Sequence, residues 1–388
     1  CSSDLFKMFV LTESQHANLR AAWAKSKVDD VLKAKQNATN DDHEQRPPVI
    51  TLNATMSTEE SFDVLIKNNI NAAPVYDPKE KTYIGMVSML DVVEFVLMLV
   101  HANKAVWQEM DAELDVKSSS NISLNTAPHS SNPPHSPNSN AKESDREGLV
   151  ISEIATRMRQ IQQIPVSLIS DLARRDPFMS LPRSASLDLA VDIFSKGIHR
   201  IVVTETTDST KLIGILTQSD LIKFLSEFKM NVAPFDEILK MRLNDLKLSD
   251  EKEIIFVKSH HPLIDALKAM HTHKVSSVAV VDPGDRLLGN ISATDVKHVM
   301  RHLRYGVMFQ TCSQFIGKVK TRAMLDNMGK DIVPVIQVSS NAVLGQVLRL
   351  LVVTKVHRVW CTEQNAMAPK FQAPVAVISL TDIIRVLI

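Results

Sequence analysis

The sequence predicts an α/β (α+β) protein in which one unit of strand, helix, strand, strand and helix occurs four times. The first observation is a tetrapeptide that starts with Ser or Thr and ends with Asp, and its copies are Ser88–Asp91, Thr217–Asp220, Ser292–Asp295 and Ser379–Asp382. Each copy closes an apolar strand pattern and opens an apolar helix pattern. The second observation is a polar residue or pair about 20 residues before each Asp, namely Asn71, His199-Arg200, His273-Lys274 and His357-Arg358. Regular spacing of this size predicts an array of small units rather than one large domain.

The N-terminal part of the chain, residues 1–47, is predicted to be a helical segment. Apolar residues recur at helical spacing between Leu5 and Asn37, among them Trp23, Val28 and Leu32. Repeat 1 follows at residues 48–108. Its predicted elements are a strand at Val49–Leu52, a helix at Thr58–Asn68, strands at Ala72–Asp77 and Tyr83–Ser88, and a helix from Leu90 to about Trp107.

Repeats 2, 3 and 4 are assigned to residues 149–232, 233–306 and 307–388, and the same element order is predicted in each. For repeat 2 the elements are Phe178–Leu181, Leu187–Ser195, Ile201–Glu205, Lys211–Thr217 and Asp220–Phe228. For repeat 3 they are Ile254–Val257, Leu263–His271, Ser277–Asp282, Leu287–Ser292 and Asp295–Leu303. For repeat 4 they are Val335–Val338, Val343–Thr354, Arg358–Thr362, Val375–Ser379 and Asp382–Ile388. A loop at Glu363–Ala373 accounts for the wider spacing in repeat 4.

Residues 109–148 are predicted to form a disordered linker. The stretch from Ser118 to Ser144 consists almost wholly of Ser, Asn, Pro, His and Ala. Such a composition cannot bury enough apolar surface to offset the entropy of the chain.

Charge and cysteine content narrow the possible partners and location. Lys and Arg total 44, as do Asp and Glu, and no basic stretch follows a phosphate backbone, which argues against nucleic acid as a partner. No apolar run is long enough for a transmembrane helix, so no membrane partner is expected. Three cysteines form no disulfide framework, which favours a cytoplasmic or nuclear location.

The unit with Ser/Thr-x-x-Asp at its last strand-to-helix junction resembles the cystathionine-β-synthase-type (CBS) domain. Four such units with His-Arg pairs resemble the gamma regulatory subunits of AMP-activated protein kinase. The segments that match this pattern most closely are Asn71–Pro74, His357–Val359 and Ser379–Ile383. The resemblance implies two Bateman modules, each a pair of CBS units, stacked in a disc with nucleotide sites facing its centre.

Four aspartates are candidate ligands for the ribose of an adenine nucleotide: Asp91, Asp220, Asp295 and Asp382. A carboxylate just inside a helix start can accept hydrogen bonds from two neighbouring ribose hydroxyls. The same pattern is also a helix capping box, in which the hydroxyl and the acid satisfy free backbone N–H groups. Both interpretations remain open at this stage.

The resemblance implies that the upstream polar residues bind phosphate. The candidates are His199, Arg200, His273, Lys274, His357 and Arg358, with Ser379 and Thr381 as further hydroxyl ligands. Guanidinium groups bind phosphate through paired, charge-assisted hydrogen bonds. The alternative is that these pairs are solvated or form salt bridges. Two departures from the gamma pattern are Asn71, where an Arg is expected, and Asp220, where the gamma subunit carries Arg.

The repeats and linker leave too few residues for a catalytic domain, so a regulatory rather than enzymatic role is predicted. One hypothesis is an energy-sensing subunit that binds AMP, ADP or ATP and regulates a Ser/Thr kinase through a catalytic subunit and a beta-type scaffold. A second is a four-CBS interaction protein, as in fungal phosphatase-inhibiting stress regulators, that works without nucleotide. A third is a metal enzyme using His298 and His302, although a polar helix face explains that pair better.

Overall fold

The structure is a computed structural model that describes residues 13–37, 48–102, 154, 163–207, 211–228, 233–250, 253–297, 305–326, 335–364 and 372–388. The predicted linker at 109–148 lies outside the described residues. So do His298 and His302, and the part of the predicted N-terminal helix before Glu13.

The N-terminal segment, predicted to be helical, forms two helices in its described part. Helix α1 spans Glu13–Lys25 and helix α2 spans Val28–Asn37. The chain turns between them because its backbone there bonds to another part of the protein. Leu187 N donates to Ser26 O at 2.8 Å, and Val28 N donates to Ala185 O at 3.0 Å. Helical periodicity cannot register such contacts.

Each of the four units contains a three-stranded sheet in which the first strand is parallel to the second and the second is antiparallel to the third. Unit 1 comprises β1 (Leu52–Asn53), α3 (Thr58–Lys67), β2 (Ala72–Asp77), β3 (Thr82–Ser88) and α4 (Met89–Ala102). Unit 2 comprises β4 (Ser180–Pro182), α5 (Leu187–Ser195), β5 (Arg200–Thr204), β6 (Leu212–Thr217) and α6 (Gln218–Phe228).

Helix α7 (Ala233–Lys240) connects the two halves of the chain. Unit 3 comprises β7 (Phe256–Lys258), α8 (Leu263–Thr272), β8 (Ser277–Val281), β9 (Leu287–Ser292) and a 3-10 helix at Ala293–Val296. A second 3-10 helix (Tyr305–Phe309) and α9 (Cys312–Asp326) lead to unit 4. Unit 4 comprises β10 (Gln337–Ser339), α10 (Leu344–Thr354), β11 (Arg358–Gln364), β12 (Gln372–Ser379) and α11 (Leu380–Val386).

The element order agrees with the sequence prediction, and the differences lie at element ends. The four first strands begin later than predicted, at Leu52, Ser180, Phe256 and Gln337. In unit 3 the predicted helix begins as a 3-10 helix at Ala293–Val296 and is α-helical at Lys297, the last residue described there. Short strands carry too few residues for an alternating pattern to locate their ends.

Each unit is preceded in the chain by a leading segment. These segments are residues 13–37 before unit 1, 163–175 before unit 2, 233–250 before unit 3 and 305–326 before unit 4. The segment before unit 1 forms a β-bridge with unit 2 (Lys27–Ser186), and the segment before unit 2 forms one with unit 1 (Ser57–Pro165). Units 3 and 4 exchange leading segments in the same way through Arg242–Val343 and Pro262–Thr311. Units 1 and 2 are therefore one interlocked module, and units 3 and 4 are the other.

The apolar cores join the two modules into a ring of four units. One core combines the helices of units 1 and 3, and the other combines units 2 and 4 with α1 and α2. Smaller apolar clusters join the sheets within each module, around Met86 and Val202 in the first and around Leu287 and Trp360 in the second. Each unit thus contacts two others, which is the predicted disc.

Candidate functional site

All four copies of the Ser/Thr-x-x-Asp pattern adopt capping geometry. In each, the Asp Oδ2 accepts hydrogen bonds from the backbone N–H and the hydroxyl of the Ser or Thr three residues earlier. The two distances are 2.6 and 2.9 Å for Asp91, 2.9 and 2.7 Å for Asp220, 2.7 and 2.8 Å for Asp295, and 2.8 and 2.5 Å for Asp382. One oxygen of every carboxylate is therefore used by its own helix cap. A ribose role remains a prediction for the other oxygen.

Asp91 has both carboxylate oxygens engaged by protein. Its Oδ1 accepts from Ala173 N at 2.8 Å, a residue of the leading segment of unit 2. The residue is only 1% exposed, and burial raises the pKa of Asp91 to about 7 against the opposing effect of these hydrogen bonds. Both oxygens of the Asp91 carboxylate therefore accept hydrogen bonds from the protein itself.

Asp220 is covered by the other exchanged segment. Lys35 of α2 places Nζ 2.9 Å from Asp220 Oδ2 and donates a second hydrogen bond to Ile215 O at 3.2 Å. Nearby, a Cβ built on Gly214 would lie 3.0 Å from Leu32 Cδ1, so the glycine allows α2 to pack closely on β6. The first module therefore covers both of its aspartates with its own chain.

Arg358 is the cation that connects units 3 and 4. Its guanidinium donates to Ser277 Oγ at 2.6 Å and to Ser276 Oγ at 2.9 Å. Burial lowers the pKa of Arg358 to about 10, and the charges of Asp295 and Asp382 oppose that shift. The structure thus brings two predicted ribose ligands close to one predicted phosphate ligand.

His199 and Arg200 are engaged by a carboxylate that the sequence did not reveal. Asp176 Oδ1 lies 2.8 Å from His199 Nδ1, and Asp176 Oδ2 accepts from Arg200 NH1 at 2.8 Å. Burial alone would raise the pKa of Asp176, but the hydrogen bond from His199 and the charge of Arg200 outweigh it and lower the pKa to about 2. Asp176 precedes β4 by four residues without any motif to mark it.

His357 faces the cations of unit 2. Burial lowers its pKa to about 4, and the charges of Arg358, Arg200 and His199 act in the same direction. His357 is nevertheless an exposed residue by its solvent-accessible surface. The His-Arg pairs of units 2 and 4 therefore lie near each other.

The assignment of His273 and Lys274 to the His-Arg position of unit 3 is wrong in register. Strand pairing matches Arg200 with Thr217, Arg358 with Ser379 and Ser277 with Ser292. The residues at the His-Arg position of unit 3 are therefore Ser276 and Ser277. His273 instead caps α8, and Lys274 has a left-handed backbone with φ +50°.

Strand pairing also shows which position of the repeat Asn71 occupies. Ala72 pairs with Ser88 and so occupies the arginine position of unit 1, while Asn71 stands where units 2 and 4 carry histidine. A sequence signal was present: one apolar residue precedes each pair, at Ile70, Ile198, Val275 and Val356. Counting back from the aspartates missed this signal because the hairpins differ in length.

Lys274 lies at a different location from Arg200 and Arg358. It lines a cavity of about 400 Å³ between units 1 and 3, together with Leu90, Arg174, Arg175 and Met270. If Lys274 contacts a phosphate as predicted, that phosphate lies in this cavity.

The two remaining hydroxyl candidates have structural partners. Ser379 Oγ is part of the α11 cap. Thr381 Oγ1 lies 2.9 Å from Gln218 Nε2, and the same amide nitrogen donates to Ile198 O at 2.8 Å. Gln218 is only 3% exposed, so this contact is part of the junction between units 2 and 4. Gln218 occupies a variable position of the repeat, which gave no reason to single it out.

The described residues were compared with the requirements of a metal site and of a membrane-spanning helix. No group of three or more His, Cys, Asp or Glu residues there is arranged to hold a metal ion. Among the same residues, no helix has the length and apolar character needed to span a bilayer.

Comparison with known proteins supports the repeat assignment. Residues 45–98, 169–227 and 248–302 match the CBS domain family. Protein SDS23 of Kluyveromyces lactis is 29% identical over 356 residues, which cover 87% of this chain and 60% of that protein. Protein SDS24 of Saccharomyces cerevisiae is 34% identical over 232 residues, which cover 55% of this chain and 44% of that protein. The chain therefore spans 60% or less of the length of these two relatives.

A solved structure has the same arrangement over nearly the whole chain. Protein MJ1225 of Methanocaldococcus jannaschii, described as a candidate archaeal homologue of the gamma subunit of AMP-activated protein kinase, superposes with a TM-score of 0.55. The match covers 88% of this chain and 96% of that protein at 15% sequence identity, so it shows a shared fold. The chain therefore contains three segments that match the CBS domain family and a fourth unit with the same strand and helix order.

Proposed function

We propose that this protein is a non-catalytic regulator that acts by binding another protein, and that its partner is a protein phosphatase. The observation that carries the proposal is that the chain itself engages the groups a nucleotide would need. Ala173 bonds to Asp91, Lys35 to Asp220, and Asp176 to Arg200. A nucleotide can regulate a protein only through different affinities for two states, and these contacts reduce what it could gain.

The choice of partner is supported by the relatives. SDS23 and SDS24 come from fungi and align with this chain at 29% and 34% identity. This favours the class of fungal four-CBS interaction proteins that regulate phosphatases. The likeness to MJ1225, at 15% identity, supports the fold and carries no information about a kinase.

The proposal is tested by capture followed by reconstitution. Tagged full-length chain is expected to retain a phosphatase catalytic subunit, identified by mass spectrometry. Adding the purified chain to that purified phosphatase should change its rate on a phosphoprotein, and AMP or ATP should not alter the effect. Recovery of a Ser/Thr kinase with a beta-type scaffold, and no phosphatase, would overturn the proposal.

A second candidate function is nucleotide-dependent regulation of a kinase. It is favoured by one feature, which is the Arg358 guanidinium close to the charges of Asp295 and Asp382 in the second module. The partners of Arg358, Ser276 and Ser277, are neutral hydroxyls that a phosphate could replace. AMP, ADP or ATP would then bind in this module.

Thermal unfolding with nucleotide separates the two candidates. AMP or ATP at 100 times its dissociation constant should stabilise a binding protein by about 2.7 kcal/mol. Asp382→Ala should weaken that stabilisation if Asp382 contacts ribose, and Asp382→Asn shows how much of the effect depends on charge. Equal melting temperatures with and without nucleotide would exclude the second candidate.

A further inference from the structure

Asp176 bonds to both His199 and Arg200 of unit 2 in the manner of a bound oxyanion. We propose that the Asp176 carboxylate is a built-in anion that closes an oxyanion site formed by His199 and Arg200, and so excludes phosphate-bearing ligands from unit 2. The inference deepens the proposed function, on which it rests for its biological meaning, because it supplies a reason for a nucleotide-independent regulator.

The contact geometry is that of a filled anion site. The two carboxylate oxygens are used separately, one 2.8 Å from His199 Nδ1 and the other 2.8 Å from Arg200 NH1. Charge-assisted hydrogen bonds of this length are how guanidinium groups hold carboxylates and phosphates. The Asp176 side chain is only 4% exposed and that of Arg200 is 15% exposed, so the pair is shielded from salt and water.

If Asp176 were absent, the electrostatic surroundings of His199 and Arg200 would favour the binding of an external anion. His357 and Arg358 of unit 4 lie close enough that the charges of Arg200 and His199 affect the pKa of His357. In the described part of the chain, Asp176 is the carboxylate that bonds to both members of the unit 2 pair. Removing one partner of a buried ion pair leaves the other charge without compensation, and an external anion then has a favourable place to bind.

Covalent attachment gives Asp176 an advantage over a dissolved competitor. It lies four residues before β4, on the same chain as the cations it neutralises. A group tethered in the same chain has an effective local concentration of roughly millimolar or more. A phosphate ligand of similar intrinsic affinity therefore needs a higher concentration than this to displace Asp176. The other units differ, because Arg358 has neutral hydroxyl partners and unit 1 has no cation at the equivalent position Ala72.

The test uses the purified full-length chain with Asp176→Asn, which preserves shape and removes the charge. Binding of inorganic phosphate and of AMP is measured by calorimetry, and melting temperature is measured with and without phosphate. The variant should bind phosphate about tenfold or more tightly than the wild type, a difference well within the resolution of calorimetry. If the variant is destabilised, phosphate should restore its melting temperature.

Two controls isolate the site. Asp192→Asn removes an exposed carboxylate of the same unit, one that pairs with Lys196, and should leave phosphate binding at the wild-type level. This control also corrects for general stabilisation by phosphate as a solute. The double variant Asp176→Asn, Arg200→Gln should lose the gained binding, because the cation that would receive the phosphate is gone.

Three outcomes would overturn the inference: equal phosphate binding by wild type and Asp176→Asn, a destabilised variant that phosphate does not restore, or a gain that persists in the double variant. The measurements need no partner protein. Failure to capture a phosphatase therefore leaves this result standing, and failure here leaves the capture result standing.

Discussion

Asp91 shows how one side chain serves both a local and a distant contact. Its hydrogen bonds to Ser88 belong to the cap of α4, and such caps follow from the spacing of Ser and Asp alone. Its hydrogen bond from Ala173 joins residues 82 positions apart in the chain. The local contact was predictable from the tetrapeptide, whereas the distant one required the exchanged segment.

His357 should make the protein sensitive to acid. Its pKa in the folded chain is about 4, below the ordinary value of 6.5, so the unfolded chain binds more protons between these pH values. The stabilising contribution is therefore present above pH 6.5 and is lost as the pH falls towards 4. His357→Gln, which stays neutral, should flatten the dependence of unfolding free energy on pH in this range.

Urea unfolding at several pH values between 4 and 7 measures the effect, since these limits bracket the two pKa values of His357. His273→Gln, which replaces another exposed histidine at the C-terminal end of α8, is the matched control. An unchanged slope in His357→Gln would contradict the assignment.

At the level of elements, the leading segments do more than connect the units. Helices α1 and α2 contribute Leu19, Trp23, Val28, Val31 and Leu32 to the core shared by units 2 and 4. The N-terminal segment predicted from periodicity alone is therefore an integral part of unit 2. Its amphipathic pattern required an apolar partner but could not identify which unit supplies it.

Trp23→Ala should destabilise the whole protein. The indole is 1% exposed, and its Nε1 donates to Leu387 O at 3.2 Å, so truncation removes both packing and a hydrogen bond that joins α1 to the chain end. The expected loss is about 3–5 kcal/mol of unfolding free energy. Leu189→Ala, at a site 50% exposed on α5, is the control and should cost no more than about 0.5 kcal/mol. Similar losses in both variants would show that α1 is not docked as described.

At the level of the whole molecule, the ring depends on contacts between modules as well as within them. Gln218 and Thr381 make one of these contacts, because they belong to units 2 and 4 and lie 163 positions apart in the chain. Gln218 Nε2 also donates to Ile198 O at 2.8 Å and to Phe194 O at 3.2 Å, so this nitrogen has three acceptors at the junction.

A double-mutant cycle on Gln218→Ala and Thr381→Ala should reveal this coupling. Each single variant removes the hydrogen bond between the two side chains, and Gln218→Ala also removes the amide that donates to Phe194 O and Ile198 O, at a cost of about 1–3 kcal/mol. The double variant should be less destabilised than the sum of the two, with a coupling of about 0.5–1.5 kcal/mol measured by urea unfolding. Additive losses would mean that the two side chains do not interact in solution.

The sequence by itself determined the repeated unit, its element order and its helix caps, because these depend on residues a few positions apart. Tertiary structure alone decided which charges meet. Lys35 reaches Asp220 across 185 positions, and Arg358 reaches Ser277 across 81. It also decided that Ser277, rather than Lys274, occupies the strand position of Arg200 and Arg358, because strand pairing sets that register and hairpin length obscures it in the sequence. The role of Asp176 could not be predicted from the sequence, because a carboxylate becomes a ligand only when the fold brings a cation to it.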